Sequence, residues 1–285
     1  MSNTTNIQWL IGDTTDSPLH PQAYDMLETS IRFLKLLLPD AHRFIATPHI
    51  AAGYSHIEEI ATRHDCNVVY LQELDVIKEF PLQLRPVHRR SAWWKYMQPT
   101  INNLPTLHLD NDFLIWRLPP QLDAWIDDGE LIGYGIESGN PVPADDNDVD
   151  WSQGIHFGTK APLVRELAGT MALNSGLYGV WPEIELPYPL TQIGGFKRFV
   201  EDQAWWTINF ALAGNIYTPK HIIHYEEDVP ILSKYSEYYR SGTSADDIYH
   251  TFYGAHFSGH NTGFCQYYST HFHDYLKSKL IELEG

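Results

Sequence analysis

The first seventy-odd residues of this chain alternate between two apolar periods, and that alternation limits the fold more than any other feature. Ile7 to Ile11 (IQWLI) is a short apolar run closed by Gly12-Asp13-Thr14-Thr15-Asp16, the pattern of a strand entering a polar loop. From Gln22 to Leu38, Ala23, Met26, Leu27, Ile31, Leu34 and Leu38 recur at helical spacing, and Pro39 stops them. His42 to Ala46 (HRFIA) reads as a second strand. Ser55, with Glu58 three residues on, has the form of a capping box opening a helix through Arg63. Asn67 to Leu71 (NVVYL) is a third strand. Strands spaced by helices in this way pair in parallel through right-handed crossovers, so the sequence predicts an α/β protein. Ligands in such sheets sit beyond the carboxyl ends of the strands, which makes the loop after Ile11 the first place to look.

Further along, Leu107 to Leu109 is another apolar stub and runs directly into Asp110-Asn111-Asp112. Phe199 to Leu212 is a tryptophan-rich helix candidate, Tyr235 to Tyr253 reads as partly helical, and His273 to Glu284 reads as a closing helix. The span Glu137 to Gly154, rich in Gly, Pro and Asp, reads as an acidic surface loop. No period of tens of residues repeats, which excludes solenoids and propellers. No linker divides the chain. The expectation is a single domain over 1–285, with 137–160 as an inserted acidic loop.

Charge and composition narrow the partners. With 19 Lys+Arg against 36 Asp+Glu the net charge is −17, which disfavours a nucleic acid as partner because the chain would repel its phosphates. Hydrophobic residues at 43% and charged residues at 19% are globular proportions and exclude wholesale disorder. Cys66 and Cys265 are too few and too far apart for a cysteine zinc site or a disulfide framework. Met1 to Asn6 lacks the basic start of a secretory signal. The run Phe33 to Leu38, broken by Lys35, is far below a membrane span, so no transmembrane segment is expected. These points together lead to an expected cytoplasmic location. Aromatic residues reach 13%; flat aromatic faces suit sugar and nucleotide pockets, but core packing is the better reading of most of them.

Common catalytic signatures are missing. There is no phosphate loop of the G-x-x-x-x-G-K-[ST] type, no H-E-x-x-H helix and no G-x-S-x-G elbow. Gly133-Tyr134-Gly135 is followed by Gly139, one residue late for the dinucleotide fingerprint. Asp146, Asp148 and Asp150 open like a calcium loop, but Trp151 stands where that loop needs Gly. The histidine pairs His221/His224 and His271/His273 read as surface or capping residues.

Asp110-Asn111-Asp112 differs because of its setting. An apolar strand delivers two acids onto a tight turn, and Phe113, Leu114 and Ile115 return the chain to the interior. Two carboxylates held this way suit a hard divalent ion such as Mg²⁺ or Mn²⁺. An Asp-rich strand-end turn without an ion fits the same residues, and the triplet alone does not choose between them.

Three further segments follow in a recognisable order. Upstream lies Arg89-Arg90-Ser91-Ala92-Trp93-Trp94-Lys95, basic and aromatic in an acidic chain. Downstream come Leu173-Asn174-Ser175-Gly176-Leu177-Tyr178-Gly179, then Glu201-Asp202-Gln203 leading to Asn209, then His256-Phe257-Ser258-Gly259. In this order the sequence resembles the retaining glycosyltransferases of the GT-A fold, the group containing glycogenin and the bacterial lipopolysaccharide galactosyltransferases. The resemblance covers roughly Ile7 to Phe264. It implies a GT-A-like single domain built on a Rossmann-like mixed, mostly parallel sheet flanked by helices. It also implies transfer of a sugar from a nucleotide-sugar donor, a UDP-sugar, to a glycan, lipid or protein acceptor with retention.

The resemblance assigns roles position by position. Asp110, Asp112 and His256 would be the protein ligands of Mn²⁺ or Mg²⁺. Asn174, Asp202 and Gln203 would surround the donor sugar and carry catalysis. Asp13, Thr14 and Thr15 would meet the uracil and ribose; Arg90, Trp94, Asn111, Ser175, Gly259 and His260 would complete the nucleotide-sugar site. Where the family continues with a Lys-Pro-Trp, this chain reads His260-Asn261-Thr262-Gly263-Phe264, so either His260 or Arg90 would take over the phosphate contact or phosphate binding would be weaker. Trp94, Tyr178, Trp205 and Trp206 stand next to these motifs, and some of them could line a sugar pocket. Other readings stay open at this level. Glu201-Asp202 also resembles the acid pair of inverting enzymes, with Asp202 as the base that deprotonates the acceptor. A non-catalytic sugar- or nucleotide-binding protein, or a metal-dependent nucleotidyl- or phosphotransferase, could use similar units.

Overall fold

The computed structural model describes residues 4–11, 21–47, 54–70, 100–128, 132–135, 163, 166–167, 173–188, 201–213, 222–223, 231–233, 242–257, 268 and 272–285. The N-terminal alternation is present as read. Strand β1 (Asn6–Leu10) is followed by helix α1 (Pro21–Leu37), β2 (His42–Thr47), α2 (Tyr54–His64) and β3 (Asn67–Tyr70). One detail is corrected: α2 already includes Tyr54, so Ser55 lies inside the helix rather than capping it. The chain then forms β4 (Thr106–Asp110), β5 (Phe113–Ile115), α3 (Pro120–Asp128) and β6 (Ile132–Gly135). Next come β7 (Leu173–Val180), α4 (Glu201–Leu212), β8 (Ile222–Ile223) and β9 (Ile231–Ser233). It closes with α5 (Ala245–Thr251), β10 (Gly254–His256) and α6 (His273–Glu284). The helices expected near Leu212 and at His273–Glu284 are there, and the partly helical stretch before Tyr253 is α5. The acidic loop at 137–160 lies wholly outside the described residues.

The main sheet has the order β3-β2-β1-β4-β7-β6-β8. Strands β3, β2, β1 and β4 run parallel, β7 is antiparallel to both its neighbours, and β8 returns parallel to β6. A mostly parallel sheet must be covered on both faces. On one face Ile7, Trp9, Leu107, Leu109 and Leu177 join Leu27, Ile31 and Leu34 of α1, Ile57 and Ile60 of α2, and Leu122 and Trp125 of α3 in one apolar cluster. Adjacent residues on a strand point to opposite faces. Tyr178, next to Leu177, accordingly packs on the other face, its ring centroid 4.6 Å from that of Trp206 in α4.

A second sheet of order β5-β10-β9 lies on the far side of α1. Its residues Leu114, Ala255 and Leu232 pack with Met26 and Phe33 of α1, Ile248 of α5, and Leu276 and Leu280 of α6. Helix α1 therefore contributes to both apolar clusters, with Ala23, Tyr24, Met26, Leu27, Thr29, Ser30, Ile31, Phe33 and Leu34 all buried. A helix buried on more than one face belongs inside a fold, not on its surface. Of the periodic residues read from the sequence, Leu27, Ile31 and Leu34 pack in the main-sheet cluster and Met26 in the other.

Candidate metal and nucleotide-sugar site

Strand β4 is central in the main sheet, between β1 and β7. Its register pairs Leu10 with Asp110, so Asp110 ends the strand at the carboxyl edge of the parallel half. The next two residues form the turn, and Asn111 and Asp112 are each only 6% exposed. The chain does not return along β4 as a hairpin. It leaves the main sheet, and β5 pairs antiparallel with β10, placing Phe113 opposite His256.

The β5–β10 pairing completes the group. The Phe257 N–H donates to the Asp112 carbonyl at 2.9 Å, which makes Phe113–His256 a non-hydrogen-bonded pair, the kind in which facing side chains lie closest. Their rings are 5.2 Å apart. His256 Nε2 comes to 3.6 Å from Asp112 Oδ1, with both side chains nearly buried. One ligand atom from each of Asp110, Asp112 and His256 lies within 4.8 Å of the others. Two carboxylates crowded together repel each other unless a cation sits between them. An oxygen-rich set with one imidazole matches the donor preference of Mn²⁺ and also accepts Mg²⁺. The donor chemistry of the three residues thus fits a divalent ion.

Several polar contacts hold the turn. Asn111 Nδ2 donates to the Ala23 carbonyl at 3.2 Å, tying the turn to the first turn of α1. Ser30 Oγ donates to the Phe113 carbonyl at 2.8 Å, and Trp9 Nε1 donates to Ser30 Oγ at 2.9 Å. On the opposite face of β4, the ring of His108 stacks on Tyr178 at 4.5 Å and 14°, and Tyr178 in turn meets Trp206. The stack links the strand that ends in Asp110 with the helix whose first turn contains Asp202 and Gln203.

The structure brings Asp110, Asp112 and His256 together, as the resemblance implies. Asn111 lies in the same turn, its amide engaged with α1. Asn174 and Ser175 are on β7, next to β4; Asn174 pairs in register with Tyr134 at an irregularity in the β6–β7 ladder. Asp202 and Gln203 lie in the first turn of α4. Asp13, Thr14, Thr15, Arg90, Trp94, Gly259 and His260 lie outside the described residues.

One reading changes. Tyr178, Trp205 and Trp206 are at most 3% exposed, so they are core and not a sugar-facing surface. Asn209, at the end of the Glu201-Asp202-Gln203 motif, is fully buried and exchanges hydrogen bonds with the Tyr188 backbone in both directions, which fixes the segment before α4. Ser30 and Trp9 were not singled out from the sequence. Their signal was a hydroxyl inside the apolar stripe of α1, seven residues after Ala23, and an indole N–H in a strand otherwise without side-chain donors toward that helix.

No protein-family model matches the sequence, and no curated protein matches it. Among solved structures, the chain is similar to an active-site variant of LgtC, at 14% identity over 89% of this chain and 87% of that one, with a TM-score of 0.47. It is similar to mouse xyloside xylosyltransferase 1 in its apo form, at 11% identity over 92% and 99% of the two chains, with a TM-score of 0.48. It is also similar to the galactosyltransferase LgtC in complex with donor and acceptor sugar analogues, at 12% identity over 89% and 87%, with a TM-score of 0.44.

Proposed function

We propose that this protein is a metal-dependent glycosyltransferase that moves a sugar from a UDP-sugar to a glycan, lipid or protein acceptor, with retention of configuration. The observation that carries the reading is the convergence of Asp110, Asp112 and His256, from segments far apart in the chain, at the carboxyl edge of a central parallel strand. That edge is where α/β sheets bind ligands. The ordered motifs around it supply the rest of the assignment.

Asp110, Asp112 and His256 would hold the ion, Mn²⁺ or Mg²⁺. When bound there, a divalent ion would neutralise the donor diphosphate and stabilise the departing phosphate. Asp13, Thr14 and Thr15 would take the base and ribose. Arg90, His260 and the backbone at Gly259 would meet the diphosphate, with Trp94 and Ser175 beside them. Asn174, Asp202 and Gln203 would orient the donor sugar, and the Asp202 carboxylate would offset positive charge developing on its ring. A front-face transfer of this kind needs no protein nucleophile; it depends on positioning and on charges fixed in place before reaction.

The test is calorimetry of UDP binding with and without Mn²⁺ on the native protein and on Asp110→Asn. The proposal expects tight UDP binding only with metal, and its loss in the variant. Metal-independent binding of equal strength in both proteins would remove the ion from this site.

A further inference from the structure

The two acids of the turn are separated by Asn111 and followed by Phe113, and helix α1 grips both of those flanking residues. Asn111 Nδ2 donates to Ala23 O at 3.2 Å on one side, and Ser30 Oγ donates to Phe113 O at 2.8 Å on the other. A hydroxyl has one proton to give. The indole of Trp9 donates to Ser30 Oγ at 2.9 Å and so occupies an acceptor position of that oxygen, while the single Ser30 proton goes to Phe113. All three side chains are buried, Trp9 and Ser30 completely. Because Phe113–His256 is a non-hydrogen-bonded pair, the Phe113 carbonyl points away from β10, and Ser30 of α1 donates to it.

Ser30 meets the buried Trp9 indole N–H and the Phe113 carbonyl with one hydroxyl, and so ties α1 to the residue that follows Asp112. Its placement makes sense if the quantity being set is the position of Asp112. From these contacts we infer that Ser30 and Asn111, with Trp9 orienting Ser30, are positioning residues for the metal acids: they fix the 111–113 backbone so that Asp112 meets Asp110 and His256. Ser30 and Trp9 lie outside the set assigned to ion and donor and would act through Asp112; Asn111, also assigned to the donor site, would act on Asp112 through its hold on α1. The inference rests on the metal-binding reading proposed above.

The experiment titrates Mn²⁺, with and without UDP, into the native protein and into Ser30→Ala, Ser30→Thr, Asn111→Ala and Trp9→Phe. Bound Mn²⁺ is followed by loss of the free-ion electron paramagnetic resonance signal, and thermal melting is recorded on each metal-free protein. Outer residues that orient metal ligands typically cost about 10- to 100-fold in metal affinity when removed. The inference therefore expects Ser30→Ala and Asn111→Ala to weaken Mn²⁺ binding by about 10-fold or more while they still melt cooperatively, and Ser30→Thr to restore much of it. Trp9→Phe, which keeps an aromatic ring but loses the donor to Ser30 and part of the buried volume, is expected to weaken binding less than Ser30→Ala, and it serves in its place if that variant does not fold. Native-like Mn²⁺ affinity in the folded variants, even with lowered melting temperatures, would overturn the inference and leave the metal site standing. Absence of Mn²⁺ binding to the native protein under both conditions would overturn the site and the inference together.

Discussion

Under the proposed metal role, Asp112 sets function against stability at a single residue. Its carboxylate is 6% exposed and shares a small volume with Asp110 and the His256 imidazole. Without a cation, the two acids pay for proximity through mutual repulsion. Replacing one by its neutral isostere should relieve that repulsion, as happens at sites that trade stability for activity. We expect Asp112→Asn to melt at the same temperature as the metal-free native protein or slightly above it, in differential scanning calorimetry. Metal-dependent transfer should fall by about 100-fold or more, since a metal's charge stabilisation amounts to several kcal/mol. A large loss of stability would mean that Asp112 is chiefly a structural turn acid. By contrast, Trp206 is buried completely between Tyr178 and Phe210. Trp206→Ala should cost about 3–5 kcal/mol of unfolding free energy, measured by denaturant titration.

At the scale of elements, the β5–β10 pair determines whether His256 reaches the acids. Gly254 is essential to that approach: a Cβ there would run into the Leu114 carbonyl oxygen and crowd Ile115 and Ile231. Gly254→Ala should force β10 away from β5, destabilise the fold by about 2–3 kcal/mol as overpacking does, and weaken Mn²⁺ binding as well. Melting and metal titration of the same sample would check both effects. A separate contact joins α1 to α2, where Glu28 receives His64 Nε2 at 2.8 Å and Arg63 Nη1 at 2.6 Å. The hydrogen bond from His64, together with Arg63, outweighs burial and holds the Glu28 carboxyl down at about 2, from an ordinary 4.5. A carboxylate with a depressed folded-state value stabilises the fold above its unfolded value and loses that contribution as pH falls toward the folded one. Acid melting curves should show this loss between pH about 4.5 and about 2 in the native protein, and a shallower decline across that interval in Glu28→Gln.

The elements were legible in the sequence to different degrees. Strands β1 to β3 and helices α1 and α2 could be read because apolar period and stop residues agree, as at Leu38-Pro39. Asp110 and Asp112 could be read because they follow an apolar stub, and His256 because it stands in an ordered motif. The pairing of β5 with β10 could not be read: it joins residues far apart in the chain, and three-residue strands carry too little periodicity to show a partner. For the same reason, nothing in the sequence ties Ser30 to Phe113, 83 residues on. Tyr178 and Trp206 misled because an aromatic side chain next to a site motif can serve either the pocket or the core, and only the sheet face distinguishes them.

Over the whole molecule, α1 acts as a wedge between the two sheets. Its buried residues feed both apolar clusters, its polar groups hold the acid turn, and its outer side is braced by α6. There Asp25 pairs with Lys277 at 2.9 Å and Arg32 with Glu284 at 2.7 Å, while Tyr268, ahead of α6, donates to Asp25 at 2.8 Å. No helix among the described residues is long and apolar enough to cross a membrane. The surplus of acid, −17 in net charge, has a local use in this account, since Asp110 and Asp112 would be offset by the bound ion. The account stands or falls on one measurement. The native protein is incubated with UDP-sugars and Mn²⁺, and the released nucleotide is identified by mass spectrometry, with chelator and Asp112→Asn as controls. The account predicts UDP, released only with the metal and nearly absent in both controls; pyrophosphate as the product, or UDP release indifferent to chelator and to Asp112→Asn, would contradict it.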